Sequence, residues 1–399
     1  MLKSPEKKVL IVVGSRPEAI KMAPVYLAFK RAHIPVLLCV TCYNDPFITE
    51  VLSLFTITAD IILPVAACAQ DYLSTLQSVT EQSKHILASI LPCLVVVQGD
   101  SASALAVALA AFYLLIPIAH VEAGLRTDDV CTPFPDEMHR RLITIISTFH
   151  FAPTMAAVTN ILTQGIRREY VFCTGNTGFD ALMIIKDKIA HKQISLNEHI
   201  IRTVTAWHNN NMFIGLITLG NGSQTEEEIN SFFTTIKTIM YDKKDCAWVI
   251  VHADNPEAIT KAEQLGFDLM DSVLLMNTMS YKDMVFLLDT VDIVLTDSGS
   301  VHEEAVSLGK PVLILRHKTE RMEGVLAGQA QVVGFSPLLI MHGIEQILYS
   351  QYREIYRLQH LYGDAHAAEK IAAFVQVRYP ELIQSVFVHR SNYYQQKEV

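Results

Sequence analysis

Short, mostly apolar runs alternate with helical patterns along these 399 residues, and the alternation starts afresh halfway down the chain. The first set covers residues 9–13, 36–40, 94–97, 116–121 and 150–151, with helices predicted between them, for example at 17–31 and 101–115. The second set covers 213–218, 247–251, 272–275, 291–295 and 312–315. Runs that are apolar at every position belong to strands buried on both faces, which means parallel sheets covered by helices. The expected fold is α/β: two Rossmann-like, doubly wound parallel-sheet domains facing across a cleft. The domains are expected at 1–182 and 183–374, with the change near 180–188. Two last helices, 367–377 and one from Pro380 onward, are expected, with about 375–399 packing back on the first domain. Ligands of such sheets sit at the carboxyl ends of the strands.

Charge narrows the partners. A formal charge of −9 argues against nucleic acid or an anionic membrane surface, so a bound phosphate would need local donors. Half the residues are hydrophobic and 18% are charged, which supports sizeable cores and excludes general disorder. The sixteen apolar residues 104–119 are short for a membrane span and contain Pro117, so they read as a buried helix running into a buried strand. The cysteines at 39, 42, 68, 93, 131, 173 and 246 include one isolated CxxC; they read as buried free thiols in a reducing compartment, with no metal site. The opening MLKSPEKKVLIVV lacks a signal-peptide pattern, and a cytoplasmic location is expected.

Several segments carry chemistry. In VDIVLTDSGSVHEEAVSLGKPVLIL, a strand ends at Thr296-Asp297-Ser298-Gly299 and a helix runs to Gly309-Lys310-Pro311. Ser300 and Glu303 have capping-box spacing, and Gly309 reads as a helix stop. The amides of such a helix start suit an anion, although an ordinary crossover has the same appearance. Glu304 is either a ribose acceptor or part of an acidic first turn. Gly14-Ser15-Arg16-Pro17-Glu18 follows the first strand, with Ser15 and Glu18 again at capping-box spacing. There Arg16 is either a bidentate phosphate ligand, with Lys21 one turn deeper, or a solvated helix start. The absence of GxGxxG disfavours a dinucleotide site.

Asp100 and Glu122 each close a strand on the same sheet edge. Two carboxylates there suit acid/base work, while Asp100 alone would also serve as a helix cap. In Pro133–Arg141, pairs such as Asp136 with Arg140 and Glu137 with Arg141 are either surface ion pairs or the delivery of a third carboxylate. Arg316–Arg321 forms a basic loop after the last strand of the second set.

Together these segments resemble the non-hydrolysing UDP-N-acetylglucosamine 2-epimerases, whose fold is glycosyltransferase B-like. The matching stretches are GSRPEAIKMAP, QGDSASALA, HVEAGLRT, PFPDEMHRRL, TGN, TDSGSVHEEAVSLGKPVLILR with TERMEG, and YGDA, in family order. The resemblance implies an isomerase that interconverts UDP-GlcNAc and UDP-ManNAc by eliminating UDP to a bound glycal and adding it back, for polysaccharide biosynthesis. It implies Asp100, Glu122 and Asp136 as the acid/base carboxylates. The implied substrate-binding set is Arg16, Lys21, Arg140, His252, Ser298, Gly299, Ser300, Glu304 and Arg321, with the UDP on the C-terminal domain. No cofactor or metal is implied; the partners are a UDP-sugar and a second copy in a homodimer.

Three departures stand out, the first being Asp136 where the family usually has Glu, one methylene longer. Thr218–Gln224 (TLGNGSQ) replaces the family's Gly-His-Arg-Arg-Glu motif, and losing a general acid weakens protonation by roughly 10²–10⁴-fold. Cys42-Tyr43-Asn44-Asp45 replaces its allosteric Gln-His-Arg. A hydrolysing epimerase releasing ManNAc and UDP, or a weakened UDP-sugar-binding protein, therefore remain the alternative readings.

Overall fold

Strands that carry apolar side chains on both faces can leave neither face to water, and each of the two sets closes into its own parallel sheet. The computed structural model describes residues 7–41, 45–63, 71–220, 224–252, 255–349 and 360–395, with backbone alone from 385. Cys42, Tyr43, Asn44, Cys68 and the 221–223 part of the replaced motif lie outside the described residues. The chain divides into two units, Met1–Ala181 with Tyr362–Val399, and Leu182–Leu361.

Unit 1 runs β1 (Val9–Val13), α1 (Arg16–Arg31), β2 (Val36–Val40), α2 (Pro46–Leu54), β3 (Ile61–Ile62), α3 (Tyr72–Ile90), β4 (Leu94–Gln98), α4 (Ala102–Tyr113) and β5 (Ile118–Val121). It continues with α5 (Asp136–Ile146), β6 (Phe149–Ala152), α6 (Met155–Thr163), β7 (Val171–Cys173) and the start of α7 (Thr177–Ala190). The seven strands lie in the order β3-β2-β1-β4-β5-β6-β7, all parallel. The order reverses between β1 and β4, so the Gly14 and Gly99 turns leave neighbouring strand ends at the switch point. β1, β4 and β5 are buried at every residue. One face of this sheet packs Leu10, Val12, Val95 and Val97 against Leu87, Leu105 and Val107 of α3 and α4.

Unit 2 runs α8 (Glu198–Asn209), β8 (Phe213–Thr218), α9 (Glu226–Asp242), β9 (Cys246–Val251), α10 (Pro256–Gln264), β10 (Val273–Met276), α11 (Tyr281–Thr290) and β11 (Ile293–Thr296). Then come α12 (Gly299–Ser307), β12 (Val312–Ile314), α13 (Glu323–Leu326), β13 (Ala330–Val332) and α14 (Pro337–Tyr349). The sheet order is β10-β9-β8-β11-β12-β13, again all parallel, with its switch point between β8 and β11. Trp248, Phe232, Phe233 and Phe267 are fully buried in its core. Trp248 of β9 lies over Gly215 of β8, its register partner, where an added Cβ would stand 2.2 Å from the ring.

α15 (Ala367–Gln395) returns to unit 1. It is one helix, not two: Pro380 lies inside it rather than between helices. Phe374 packs on Phe149, Phe151 and Phe172, and the Asp180 carboxylate accepts the amides of Ala367 and Ala368 (3.2 and 2.7 Å). The thiols are less uniform than expected. Cys39, Cys93 and Cys246 are buried, but Cys131 and Cys173 are exposed, because one sits in a loop and the other ends edge strand β7. Among the described residues no helix is long and apolar enough to cross a membrane.

Candidate functional site

In unit 1, α1 begins where β1 ends, and the turn is tight. A Cβ on Gly14 would stand 2.4 Å from Thr41 Oγ1 and 2.7 Å from Ser103 Cβ, so only glycine fits. Ser15 caps α1, its hydroxyl accepting the Glu18 amide at 3.4 Å. Glu18 reaches one residue further back than a capping box requires and accepts the Gly14 amide at 2.6 Å. Burial pushes Glu18 up to about 7, against the pull of its bonds to Ser101, Gly14 and Ser15 and with the help of the Asp100 charge. Arg16 is half-exposed, 3.8 Å from Glu50 and stacked over Phe47 at 5.0 Å. Lys21, one turn on, is buried, and its ammonium lies 2.6 Å from both oxygens of Glu122.

Glu122 follows β5 with φ of 61°, a left-handed conformation rarely adopted outside glycine and often found at functional sites. Gln98, the last residue of β4, donates its amide N–H to Glu122 Oε2. Asp100 stands two residues further along that edge. It is not the cap of α4; Ser101 is, accepting the Ala104 amide at 3.0 Å. Asp100 instead accepts Arg140 Nε at 2.6 Å, while its main-chain oxygen bonds His139 Nδ1 at 2.8 Å. Arg140 is also 3.6 Å from the fully buried Glu137, which accepts Arg141 Nε at 2.9 Å and the Thr127 amide at 3.1 Å. Asp136 opens α5 one turn before Arg140, on the same helix face and half-buried. Beneath the edge, His120 Nε2 bonds Gly99 O at 2.7 Å, and burial lowers this imidazole to about 3, keeping it neutral. Unit 1 thus gathers Lys21, Glu122, Asp100 and Arg140 onto the ends of β4 and β5, with Arg16 and Asp136 on helix starts of the same unit.

In unit 2, α12 starts at Gly299 with Ser298 as its cap residue and no side-chain cap bond. The expected Ser300–Glu303 box does not form. Glu303 is drawn to Arg321 Nε at 2.7 Å, and Ser300 Oγ meets Ser298 Oγ at 3.2 Å. Glu320 also binds the Arg321 guanidinium, which lies against Gly299, where a Cβ would stand 2.4 Å from Nη1. A guanidinium held at the amide end of a helix concentrates positive potential there. Glu304 is buried and accepts the Tyr281 hydroxyl at 2.9 Å. His252 is buried just past β9, its carbonyl accepting the Asn255 amide at 2.7 Å. At the switch point Asp297 accepts the Gly220 amide through both oxygens at 3.0 Å and Gln224 Nε2 at 2.7 Å. Burial raises Asp297, opposed by the Gly220 bond, the Arg316 charge and the Gln224 bond.

Gln98 in unit 1, and Tyr281 and Asp297 in unit 2, adjoin candidate residues of their own units and were given no role by sequence reasoning, while Glu18 and Glu137 were named only for helix capping and helix ion pairing. Gln98 and Asp297 lie inside the quoted motifs, next to residues that were chosen. Tyr281 has no sequence signal, since only the packing of α11 on α12 brings it to Glu304.

A family model described as UDP-N-acetylglucosamine 2-epimerase matches residues 27–376. The UDP-N-acetylglucosamine 2-epimerase of Campylobacter jejuni is 34% identical over 370 residues, covering 92% of this chain and 96% of that protein. The Neisseria meningitidis enzyme of the same name is 35% identical over 367 residues, covering 91% and 98%. Among solved structures, UDP-GlcNAc 2-epimerase from Neisseria meningitidis bound to UDP-GlcNAc superposes with a TM-score of 0.85 at 34% identity, over 92% of this chain and 99% of that one. The Methanocaldococcus jannaschii enzyme in complex with UDP-GlcNAc and UDP gives 0.78 at 29% identity, over 93% and 99%.

Proposed function

Because the chain belongs to the UDP-N-acetylglucosamine 2-epimerase family, we propose that it interconverts UDP-GlcNAc and UDP-ManNAc without hydrolysis. A carboxylate takes the C2 proton while the C1–O bond to the diphosphate breaks, and UDP leaves with the bonding pair, giving a glycal. The diphosphate oxygen then re-forms the bond at C1 as a proton is delivered to the other face of C2. The observation that carries this reading is the pairing of Asp100 and Glu122 on adjacent strand ends, each held by a cation. Two carboxyl groups in unlike surroundings can take separate acid and base roles. Asp136 is assigned as the third carboxylate, and Arg16 as a diphosphate ligand. Ser298, Gly299, Ser300 and Arg321 are assigned to the phosphates and Glu304 to the ribose, with His252 and Arg140 near the substrate.

A second reading draws on the replaced motif. Gly220 and Gln224 of that segment are engaged by Asp297, and no histidine or arginine stands among residues 218–224. A site without that acid would release the intermediate to water, yielding ManNAc and UDP, or bind a UDP-sugar without turnover. Proton NMR in D₂O with UDP-GlcNAc separates the outcomes. Deuterium at C2 of UDP-sugars is the expected result, and free ManNAc or an unchanged spectrum despite binding rejects it. Glu122→Gln is expected to abolish C2 exchange with UDP affinity within a few-fold; wild-type exchange removes Glu122 from the mechanism.

We also assign the enzyme to the cytoplasm, and to a homodimer built on unit 1. Support for the dimer comes from exposed apolar side chains on α3 (Tyr72, Leu73), α4 (Phe112, Tyr113) and α5 (Met138, Leu142, Ile145). The last three follow a helical stripe, a pattern that usually has a partner.

A further inference from the structure

We propose that Gln98 is a positioning residue for the reaction, holding the Glu122 carboxylate ionised and fixed in direction; this rests on the epimerase reading of Glu122. Gln98 ends β4, and its register partner on β5 is Val121, immediately before Glu122. The left-handed turn at Glu122 brings the carboxylate back against Gln98, whose amide donates to Oε2. A carboxylate has no hydrogen to give, so this contact fixes which way the amide points. Gln98 and Glu122 are both buried, and water does not compete strongly for this bond.

Lys21 and Gln98 meet the same carboxylate from different elements and contribute different things. Lys21 supplies the charge that allows an ion to be buried. Gln98 supplies a donor that cannot titrate, so its hold persists through any proton taken up at the site. Hydrogen bonds to the charged form favour that form and suit the group to act as a base. The titratable groups on the surrounding elements are Lys21 and Glu18 on α1, Asp100 after β4 and His120 on β5. From α5 come His139, bonded to the Asp100 main chain, Arg140, on the Asp100 carboxylate, the buried Glu137 beside Arg140, and Asp136. Gln98, by contrast, is a neutral side chain that donates to Glu122.

The test compares wild type, Gln98→Leu and Gln98→Asn as full-length protein. The Glu122 carboxyl is titrated by carbon-13 NMR on glutamate-labelled protein, its signal assigned with Glu122→Gln. Loss of one bond to the ionised form is expected to move the midpoint up by about one pH unit or more. With UDP-GlcNAc as substrate, kcat is expected to fall ~10–100-fold below the new midpoint, with its acid limb displaced by the same amount and KM within about threefold. A purely structural role would lower stability and leave that limb in place. An unmoved midpoint in Gln98→Leu overturns the proposal; if that variant does not fold, Gln98→Asn, whose amide is too short to reach, decides it in the same way. Should wild type show no turnover, the epimerase reading falls while the titration still decides what Gln98 does to Glu122.

Discussion

Glu18 and Lys21 lie one helical turn apart on α1, yet they tolerate burial by opposite means. Glu18 has amide and hydroxyl donors and is raised to about 7 by burial, whereas Lys21 and Glu122 share their charges. A carboxyl raised from 4.5 to about 7 contributes stability that is complete below its unfolded value and lost as pH rises through 7. Glu18→Gln removes that loss, so its advantage in melting temperature over wild type should grow from pH 5 to pH 8. A constant gap across that range would mean Glu18 does not titrate there. Removing one partner of a buried ion pair leaves an uncompensated charge, at a cost of about 3–5 kcal/mol. Lys21→Met should lose that much in urea unfolding, and adding Glu122→Gln should recover most of it. Failure of the second change to recover stability rejects the pairing as the cause.

Elements differ in how far they could be read from the chain. β1, β2 and β8 span the residues expected for them, because an apolar run with no polar interruption has few other destinations. Three strands escaped: β3, β7 and β13, each two or three residues at a sheet edge, where half-burial leaves little pattern to detect. Helix starts were legible where the cap is local, as at Ser15, and misread where a distant group intervened. Arg321 takes Glu303 from α12 across 18 positions, while at Asp100, where acid/base and capping readings were both open, Arg140 is met across 40. The carboxylates of the candidate site were legible as motif residues. Their partners were not, since Lys21 meets Glu122 across 101 positions that only the sheet order brings together. A contrast of two serines tests the revised caps. Ser101→Ala should cost about 1 kcal/mol of stability, the usual loss of an N-cap, and Ser300→Ala less than about 0.5 kcal/mol. Equal losses in chemical denaturation would return Ser300 to the capping role.

For the whole molecule, the apolar stripe on α5 makes a prediction about assembly. Tyr113→Glu with Ile145→Glu puts charge on two side chains that are 79% and 67% exposed, so folding itself should be little affected. Light scattering coupled to gel filtration is expected to show a dimer for wild type and a monomer for the double variant. A dimer unaffected by both charges places the contact elsewhere. Unit 1 has a further property: it is not continuous in sequence. Phe374 fills the space among Phe149, Phe151 and Phe172, and the start of α15 hangs on Asp180, so residues made later complete what was begun earlier. At ~5–20 residues per second, the whole of unit 2 must leave the ribosome before that gap closes, a delay on the order of ten seconds or more. Throughout that interval the nascent N-terminal half carries an uncovered aromatic cluster, and its need for chaperones during translation should exceed that of unit 2.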